Sequence, residues 1–370
     1  ALLNQDEAAS SSPAAMTNAS ETNSEQPAPK KEQAPSADSA LPTSYSLSYD
    51  VPELPNIATP IPLSLGTFLV EDLHIIQGES KQHISLISLL EAHFKDSDVA
   101  IEEMTVVHEQ GEVKGKASAT LDGNFPLNVA INAKTKLGDT PQELSVAAAG
   151  ALDDLTLSVV ARGAVTANAN LMANILDSNL PIEFTANWQK QAIPTLENTT
   201  LKEGQLTLSG TMGDYVLKGA GAATLPDIGN VPVSLDVVLK KNNIFVNQAN
   251  INALEGSLSN TGTLYLNESI AWEGKTTLKN VSGRQFSTYA PEKISGEIDS
   301  ILQYSERGGL HMSLRDMTVS GVLQGKPLQV KGNAVYAGPS DLFVTNVNII
   351  QEHEQERNTI RAIAQVLNKR

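Results

Sequence analysis

Apolar residues alternate with polar or small residues along much of this chain. One such row comprises Val231, Val233, Leu235, Val237 and Leu239. Similar rows occupy residues 125–133, 144–150 and 155–169. A period of two places successive side chains on opposite faces of a β-strand. The alternation therefore predicts an all-β protein whose strands each have one apolar and one polar face.

A second pattern recurs seven times: an apolar residue, any residue, and then Asp, Glu, Asn or Gln. The copies begin at Val70, Ile101, Leu196, Val246, Leu278, Leu314 and Val344. Positions one, four and six are mostly apolar, which breaks the two-residue period. One extra residue after position one restores the period, and this is the effect of a β-bulge. Four copies lead into Gly-x-apolar, where glycine permits a turn or a tight bend.

The repetition of strand, bulge and glycine predicts a long, curled, mostly antiparallel β-sheet built from repeated strand units. Residues 45–367 would supply about 25 strands and, at ~4.8 Å for each strand, a sheet of about 120 Å. Because strands twist, a flat sheet of that length is disfavoured. We expect the sheet to curl into an open hydrophobic groove, a β-taco, with its apolar face inward.

Other arrangements of the same strands stay open. The alternation is compatible with a two-sheet sandwich. A closed outer-membrane barrel is less favoured because such barrels carry aromatic girdles, and this chain has two Trp and seven Tyr. Residues 83–95 fit both helical and strand spacing, and we favour a strand because strands surround them. At the end of the chain, Ile360, Ile363 and Leu367 have helical spacing, so a short helix is possible there.

The composition divides the chain into two parts. Residues 1–42 are rich in Ala, Ser, Pro, Gln, Glu and Asn, and such a segment buries too little apolar surface to offset the entropy of ordering it. We therefore expect a disordered low-complexity linker or insertion over 1–42. Residues 43–370 form the repetitive β-groove section. No stretch reaches the ~18 continuous apolar residues of a membrane span, and we expect the section to be cut from a longer chain.

The apolar face of the curled sheet is the candidate binding site. Its lining is rich in aliphatic side chains, which suit lipid acyl chains better than flat aromatic ligands. The predicted groove-lining residues are Phe125, Leu127, Val129, Ile131, Leu144, Val146, Leu155, Leu157, Val159, Val165, Leu206, Leu208, Val231, Val233, Leu235, Val237 and Leu239. The competing interpretation is that this face packs into an ordinary protein core.

Charge and motifs narrow the function further. The formal net charge of −16 disfavours nucleic-acid binding, which needs a basic surface. The chain has no cysteine, which excludes disulfides and thiolate metal sites. His74, His83 and His93 are nine and ten residues apart, a spacing that does not fit metal ligands on one strand. Adjacent carboxylates such as Asp153 and Asp154 point to opposite faces of a strand. We expect no enzyme, no metal and no cofactor.

Several passages resemble the AsmA-like family of bacterial envelope proteins, and within it the TamB group. They include Ile101–Val106 leading into Gly111–Gly115, Val246–Ile251 leading into Gly256–Gly262, and residues 115–127, 155–171 and 180–188. The resemblance covers about residues 45–367. It implies a β-groove in the periplasm, tethered to the inner membrane by a segment absent from this chain, and a TamA-like outer-membrane barrel as partner through other regions.

The resemblance also implies two functions. In the first, the groove carries phospholipid acyl chains between the inner and outer membranes. In the alternative, the protein is a scaffold of the translocation and assembly module that aids insertion of outer-membrane β-barrel proteins and autotransporters, by strand addition at the open edge. A secreted β-solenoid adhesin and a carbohydrate-active sandwich fit less well.

Overall fold

A single antiparallel sheet accounts for the described part of the protein. The structure is a computed structural model that describes residues 48–77, 80–193, 196–266, 269–305, 309–338, 342–353 and 356–367. These residues contain 22 strands and no α-helix, and therefore no helix long and apolar enough to cross a membrane. The predicted linker over 1–42 lies outside the described residues. The all-β prediction is confirmed.

The strands follow one another along the chain with short turns. The first eleven are β1 (Thr59–Gln77), β2 (Ser80–Asp96), β3 (Asp98–His108), β4 (Gly111–Thr120), β5 (Leu127–Leu137), β6 (Thr140–Gly150), β7 (Leu155–Gly163), β8 (Ala167–Ala173), β9 (Ile182–Trp188), β10 (Gln191–Ala192) and β11 (Thr200–Leu201). The others are β12 (Gly204–Thr211), β13 (Asp214–Leu225), β14 (Gly229–Lys240), β15 (Asn243–Ala253), β16 (Gly256–Leu266), β17 (Ile270–Val281), β18 (Glu292–Ser305), β19 (Gly309–Leu323), β20 (Lys326–Ala337), β21 (Leu342–His353) and β22 (Glu356–Leu367).

Each strand pairs with its neighbours in sequence, so the sheet is a meander. The one irregularity is that β9 pairs directly with β12, while β10 and β11 form a small hairpin that continues the same two strands beside β13. The main ladder thus has 20 strands, which span about 90 Å along the sheet at ~4.8 Å for each step. The estimate of about 25 strands was too high because several observed strands are longer than average, up to 19 residues for β1.

Two ambiguous segments are strands. Residues 83–95 lie within β2, which pairs along its length with β1 and β3. The possible helix at the end of the chain is wrong, since Ile360 and Ile363 lie in β22 and pair with Ile349 and Asn346 of β21. Hydrogen bonds to the edge of β21 therefore determine the conformation of this segment, despite the helical spacing of its apolar residues.

The recurring motif marks β-bulges at four of its seven copies. The strand register shifts between Ile101 and Met104, between Val246 and Ala249, between Leu278 and Val281, and between Leu314 and Met317. In each case the two polar residues of the bulge are exposed, while the apolar residues on either side keep the same face. The Val344 and Val70 copies keep one register across the motif, so the bulge prediction is wrong at both. The Leu196 copy begins in the loop before β11.

A glycine of the next strand lies opposite each of the four bulges. The partners are Met104 with Gly115, Val246 with Gly262, Leu278 with Gly296, and Met317 with Gly332. A bulge bends and twists its strand. The glycine opposite it lets the following strand approach closely, since a Cβ at Gly296 or Gly332 would lie 2.1 or 2.2 Å from the carbonyl oxygen of Thr318 or Asn346. Pairs of bulge and glycine are therefore the devices that curl the sheet.

Segment 48–58 lies along one rim of the sheet before β1 begins. The Tyr49 hydroxyl donates a hydrogen bond to the carbonyl of Ile175 (2.9 Å), and the Ile57 amide donates to the carbonyl of Leu121 (3.0 Å). Ile175 and Leu121 lie in turns at the same rim, and those turns are also bonded to their neighbours, as in Ile175 N–H to Leu152 O (2.7 Å). The rim is thus a continuous hydrogen-bonded border.

Substitution of Gly296 by Ala should destabilise the protein. Gly296 has a φ of 153°, and a Cβ there would lie 2.1 Å from the carbonyl oxygen of Thr318. Because the atom in the way is backbone, the sheet must shift, and we expect a loss of about 2 kcal/mol in the free energy of unfolding. The urea midpoint, followed by circular dichroism, measures this loss.

Gly66→Ala is the matched control, because a Cβ at Gly66 would meet no atom within 4 Å. We expect its urea midpoint to stay at the wild-type value or rise slightly. Equal midpoints for the two variants would contradict the role given to the glycine opposite the bulge.

Candidate functional site

Side chains of successive strands form one continuous apolar face, because directly opposed residues in a sheet share a face. The strand register joins the predicted residues into rows that run across the sheet. One row consists of Ile131, Val146, Val159, Ala169, Ala186, Leu206, Gly219 and Leu235. The next row consists of Val129, Ala148, Leu157, Leu171, Phe184, Leu208, Leu217, Val237 and Val246.

Fifteen of the seventeen predicted lining residues lie on this apolar face. They are Leu127, Val129, Ile131, Leu144, Val146, Leu155, Leu157, Val159, Leu206, Leu208, Val231, Val233, Leu235, Val237 and Leu239. The structure thereby brings together strands that are more than 100 residues apart in the sequence.

Phe125 and Val165 lie in turns, so the strands predicted to contain them are wrong at these points. Phe125 has a φ of 53° and its strand begins at Leu127. Val165 lies between β7 and β8, where the Gln142 side chain bonds both its backbone amide (2.7 Å) and its carbonyl (3.2 Å). The alternating row 155–169 is therefore a hairpin. The alternation continues through the turn in sequence although the strand does not. The Gln142 side chain supplies the hydrogen bonds that the backbone of Val165 would make within a strand.

No second layer of described residues covers the apolar face. Only Ala164, Tyr215, Val231, Val237 and Ala334 are buried among the described apolar residues, and no described side chain is completely buried. Val233 retains 44% of its accessible surface and Leu144 retains 38%. Most other lining residues are half-buried. The apolar face is therefore the inside of an open groove and not the centre of a sandwich.

Both tryptophans of the chain lie flat on this groove face, a feature that the sequence analysis missed. A Cβ at Gly204 would lie 2.3 Å from Trp188, and one at Gly221 would lie 3.0 Å from the same ring. Trp272 covers Gly274 and Gly262 in the same way, at 2.3 and 2.8 Å. Gly274 lies two residues after Trp272 on the same strand, whereas Gly204, Gly221 and Gly262 come beside a ring only through the strand register. In each case the aromatic ring fills the space that glycine leaves.

Beside Trp188 the groove widens into an apolar cavity of about 290 Å³. Its lining includes Leu201, Leu206, Val233 and Leu235. Three of these four residues are in the predicted set.

The opposite, convex face carries the charges. Lys218 and Asp236 are directly opposed, with Nζ 3.6 Å from the carboxylate, and Lys134 and Glu143 repeat this arrangement at 3.5 Å. The hydrogen bond from Lys275 to Glu297 (3.0 Å) raises the pKa of Lys275, and the charges of Glu297 and other nearby carboxylates add to the effect. These pairs are exposed and contribute little to the free energy of unfolding. Their charges make the convex face polar, in contrast to the groove face.

The β1–β2 hairpin brings together two of the three histidines whose spacing was considered for a metal site. The rings of His74 and His83 stack with centroids 4.6 Å apart, and His83 also lies 3.2 Å from Asp72 and 3.5 Å from Glu109. The sequence separation did not reveal this contact because it depends on the hairpin register. Within the described residues, no group of three or more His, Cys, Asp or Glu side chains is arranged to hold a metal ion.

Comparison with known proteins gives the family. No solved structure matches the chain. The family model "TamB, N-terminal domain" matches residues 7–358, which is nearly the whole chain and includes most of the 1–42 segment. The match agrees with the resemblance in the sequence. The chain belongs to the TamB N-terminal domain family.

Proposed function

We propose that the groove holds phospholipid acyl chains and carries them between the inner and outer membranes, without enzymatic chemistry. The observation that supports this proposal most directly is the continuous apolar face, open along its length and joined from β5 to β15 by strand register. In this proposal the protein acts in the periplasm, and a TamA-like outer-membrane barrel is its partner through regions outside this chain.

Burial of hydrocarbon supplies the binding energy. Each methylene transferred from water contributes ~0.8 kcal/mol, so two sixteen-carbon chains gain roughly 25 kcal/mol in total. This gain is similar to what the bilayer gives the same chains. Because neighbouring rows have the same aliphatic character, a lipid can shift from one strand to the next without a large change in energy, and its polar head group stays at the open side.

The two tryptophans provide a direct test. Trp272→Phe leaves Trp188 as the single fluorophore on β9, and Trp188→Phe leaves Trp272 on β17. We expect phospholipids brominated on the acyl chains to quench Trp188 fluorescence, because bromine quenches only at close contact and the ring lies on the groove floor. Steady-state fluorescence of the purified protein measures the quenching.

A Trp on the convex face is the control. Ser234→Trp, in a protein that lacks both native tryptophans, places the ring next to Leu235 in sequence but on the other side of the sheet. Brominated lipid should leave this fluorophore unquenched. If Ser234→Trp is quenched as strongly as Trp188, the lipid binds nonspecifically and the proposed groove binding is wrong.

A charge placed in the groove should block passage. Leu235→Arg projects a guanidinium into the lining, and covering that charge with hydrocarbon is strongly unfavourable. We expect reduced phospholipid binding by the purified protein and slower lipid transfer to the outer membrane in cells. Pulse-labelled phospholipid, recovered from separated membranes, reports the transfer.

Ser234→Arg is the neighbouring control, since Ser234 and Leu235 face opposite sides of β14. Its transfer rate should match that of the wild-type protein, and both variants should show the wild-type strand content by circular dichroism. Normal transfer with Leu235→Arg would mean that the lipid does not move along this face.

A second function, assistance to folding outer-membrane β-proteins by strand addition, needs a strand that can accept another strand, and we consider β22 for this role. This strand pairs only with β21 among the described residues, whereas β1 already has Pro60 and Pro62 near its beginning. Proline near the start of an edge strand hinders pairing with another strand. Strand β22 contains no proline, so its backbone could pair with an added strand.

Paired proline substitutions test this second function. Amides of adjacent residues in an edge strand point alternately to the neighbouring strand and to the open side. Of Thr359→Pro and Ile360→Pro, one therefore removes an outward amide. Strand addition predicts that this variant lowers the yield of an assembled autotransporter without changing lipid transfer. Unchanged yields with both variants would exclude strand addition at β22.

A further inference from the structure

The central rows of the apolar face carry a polar patch in the second half of the sheet, flanked by the apolar pairs Leu258–Leu278 and Leu264–Trp272. From β5 to β14, the side chains on this face away from the strand ends are aliphatic, aromatic or absent, as in glycine. On the next strands, Asn260 of β16, Thr276 of β17 and Ser300 of β18 lie near the strand centres. Apolar residues return on β19 with Met312, Leu314 and Met317. We call the three polar residues the polar patch.

The strand register places the polar patch on the groove side. Asn260 is directly opposite Thr276, and Asn260 is also opposite Ala249 of β15. Ser300 is opposite Gly274, which shares its face with Trp272 two residues earlier. The indole N–H of Trp272 donates to the Ser300 hydroxyl (3.3 Å), and this bond confirms that both side chains lie on the same side.

The internal hydrogen bonds of the patch leave polar atoms available. The Thr276 hydroxyl donates to the Asn260 amide oxygen, and the Ser300 hydroxyl lies 3.4 Å from the Gly274 carbonyl oxygen. The amide nitrogen of Asn260 has no hydrogen-bond partner within the described residues. Water satisfies this donor when the groove is open, whereas a methylene chain cannot. The three residues are also neutral, so they offer no counter-charge for a phosphate.

We propose that the polar patch is a hydrated break in the two central rows of the groove, which separates hydrocarbon bound before β16 from hydrocarbon bound after β18. Acyl chains bind on either side and cross the patch as a separate step. This inference deepens the proposed function and rests on it. The patch then sets where a lipid pauses, because covering an unpaired amide lowers hydrocarbon affinity there by about tenfold.

The test compares the two tryptophans with brominated phospholipid. Trp272 borders the patch, while Trp188 lies about 29 Å away along the sheet, at ~4.8 Å for each of the strand steps between them. We expect half-quenching of Trp272 to need about tenfold more brominated lipid than half-quenching of Trp188. The double variant Asn260→Leu with Thr276→Val should remove this difference by quenching Trp272 at the lower concentration.

Ser259→Leu with Thr277→Val is the matched control, because Ser259 and Thr277 are the directly opposed pair on the convex face of the same two strands. It should retain the difference between the tryptophans. If the double variant does not fold, Thr276→Val alone replaces it, because valine has nearly the same shape as threonine. This single variant should reduce in part the difference between the lipid concentrations that half-quench the two tryptophans.

The outcomes separate the two proposals. Absence of quenching at both tryptophans overturns the proposed lipid binding. Equal quenching of both in the wild-type protein overturns the polar patch while lipid binding stands. A difference that the groove-side variants leave unchanged also overturns the patch. A difference that they remove, and that the convex-face control keeps, supports it.

Discussion

The phase of side chains across the strands is the constraint on which this protein depends. The sheet has no second layer among the described residues, so its apolar face exists only if every strand presents its apolar residues to the same side. A shift of one residue between two strands would transfer a whole row to the opposite face. Directly opposed pairs such as Val146 and Val159 maintain the phase from one strand to the next.

Curvature of the sheet tends to disturb this phase of the side chains, and the β-bulges allow the strands to bend while the phase is kept. A long strand that bends around a groove needs extra length at some point, and each extra residue would reverse the faces beyond it. At Leu314–Met317 two polar residues occupy the bulge together, so apolar residues return to the groove on both sides of it. Gly332, opposite Met317, lets β21 approach on its other side, since a Cβ there would lie 2.2 Å from the carbonyl oxygen of Asn346. Trp188 and Trp272 then fill the gaps where glycines meet on neighbouring strands.

Much of the fold could be predicted from the sequence because alternation is a local property. The row Val231–Leu239 reads directly as one strand with one apolar face, and β14 has that form. The motif predicted a bulge at each of its seven copies, and four of them are bulges. The Val70 and Val344 copies have similar spacing but keep their register, so the motif alone does not decide the bulge. The predictions failed where distant residues decide the structure. Gln142 closes a turn at Val165, and β21 holds Ile360 in a strand despite its helical spacing. The glycine platforms under the tryptophans depend on register between strands and were not visible in single segments.

Pairing between sequence neighbours has a consequence for how such a molecule changes size. In the main ladder each described strand pairs only with its neighbours, so the strand-to-strand backbone hydrogen bonds do not link distant hairpins. Insertion or deletion of one complete hairpin changes the reach by about 10 Å and leaves the cross-section of the channel intact. Duplication of hairpins could therefore lengthen the molecule in regular increments without redesign of its interior.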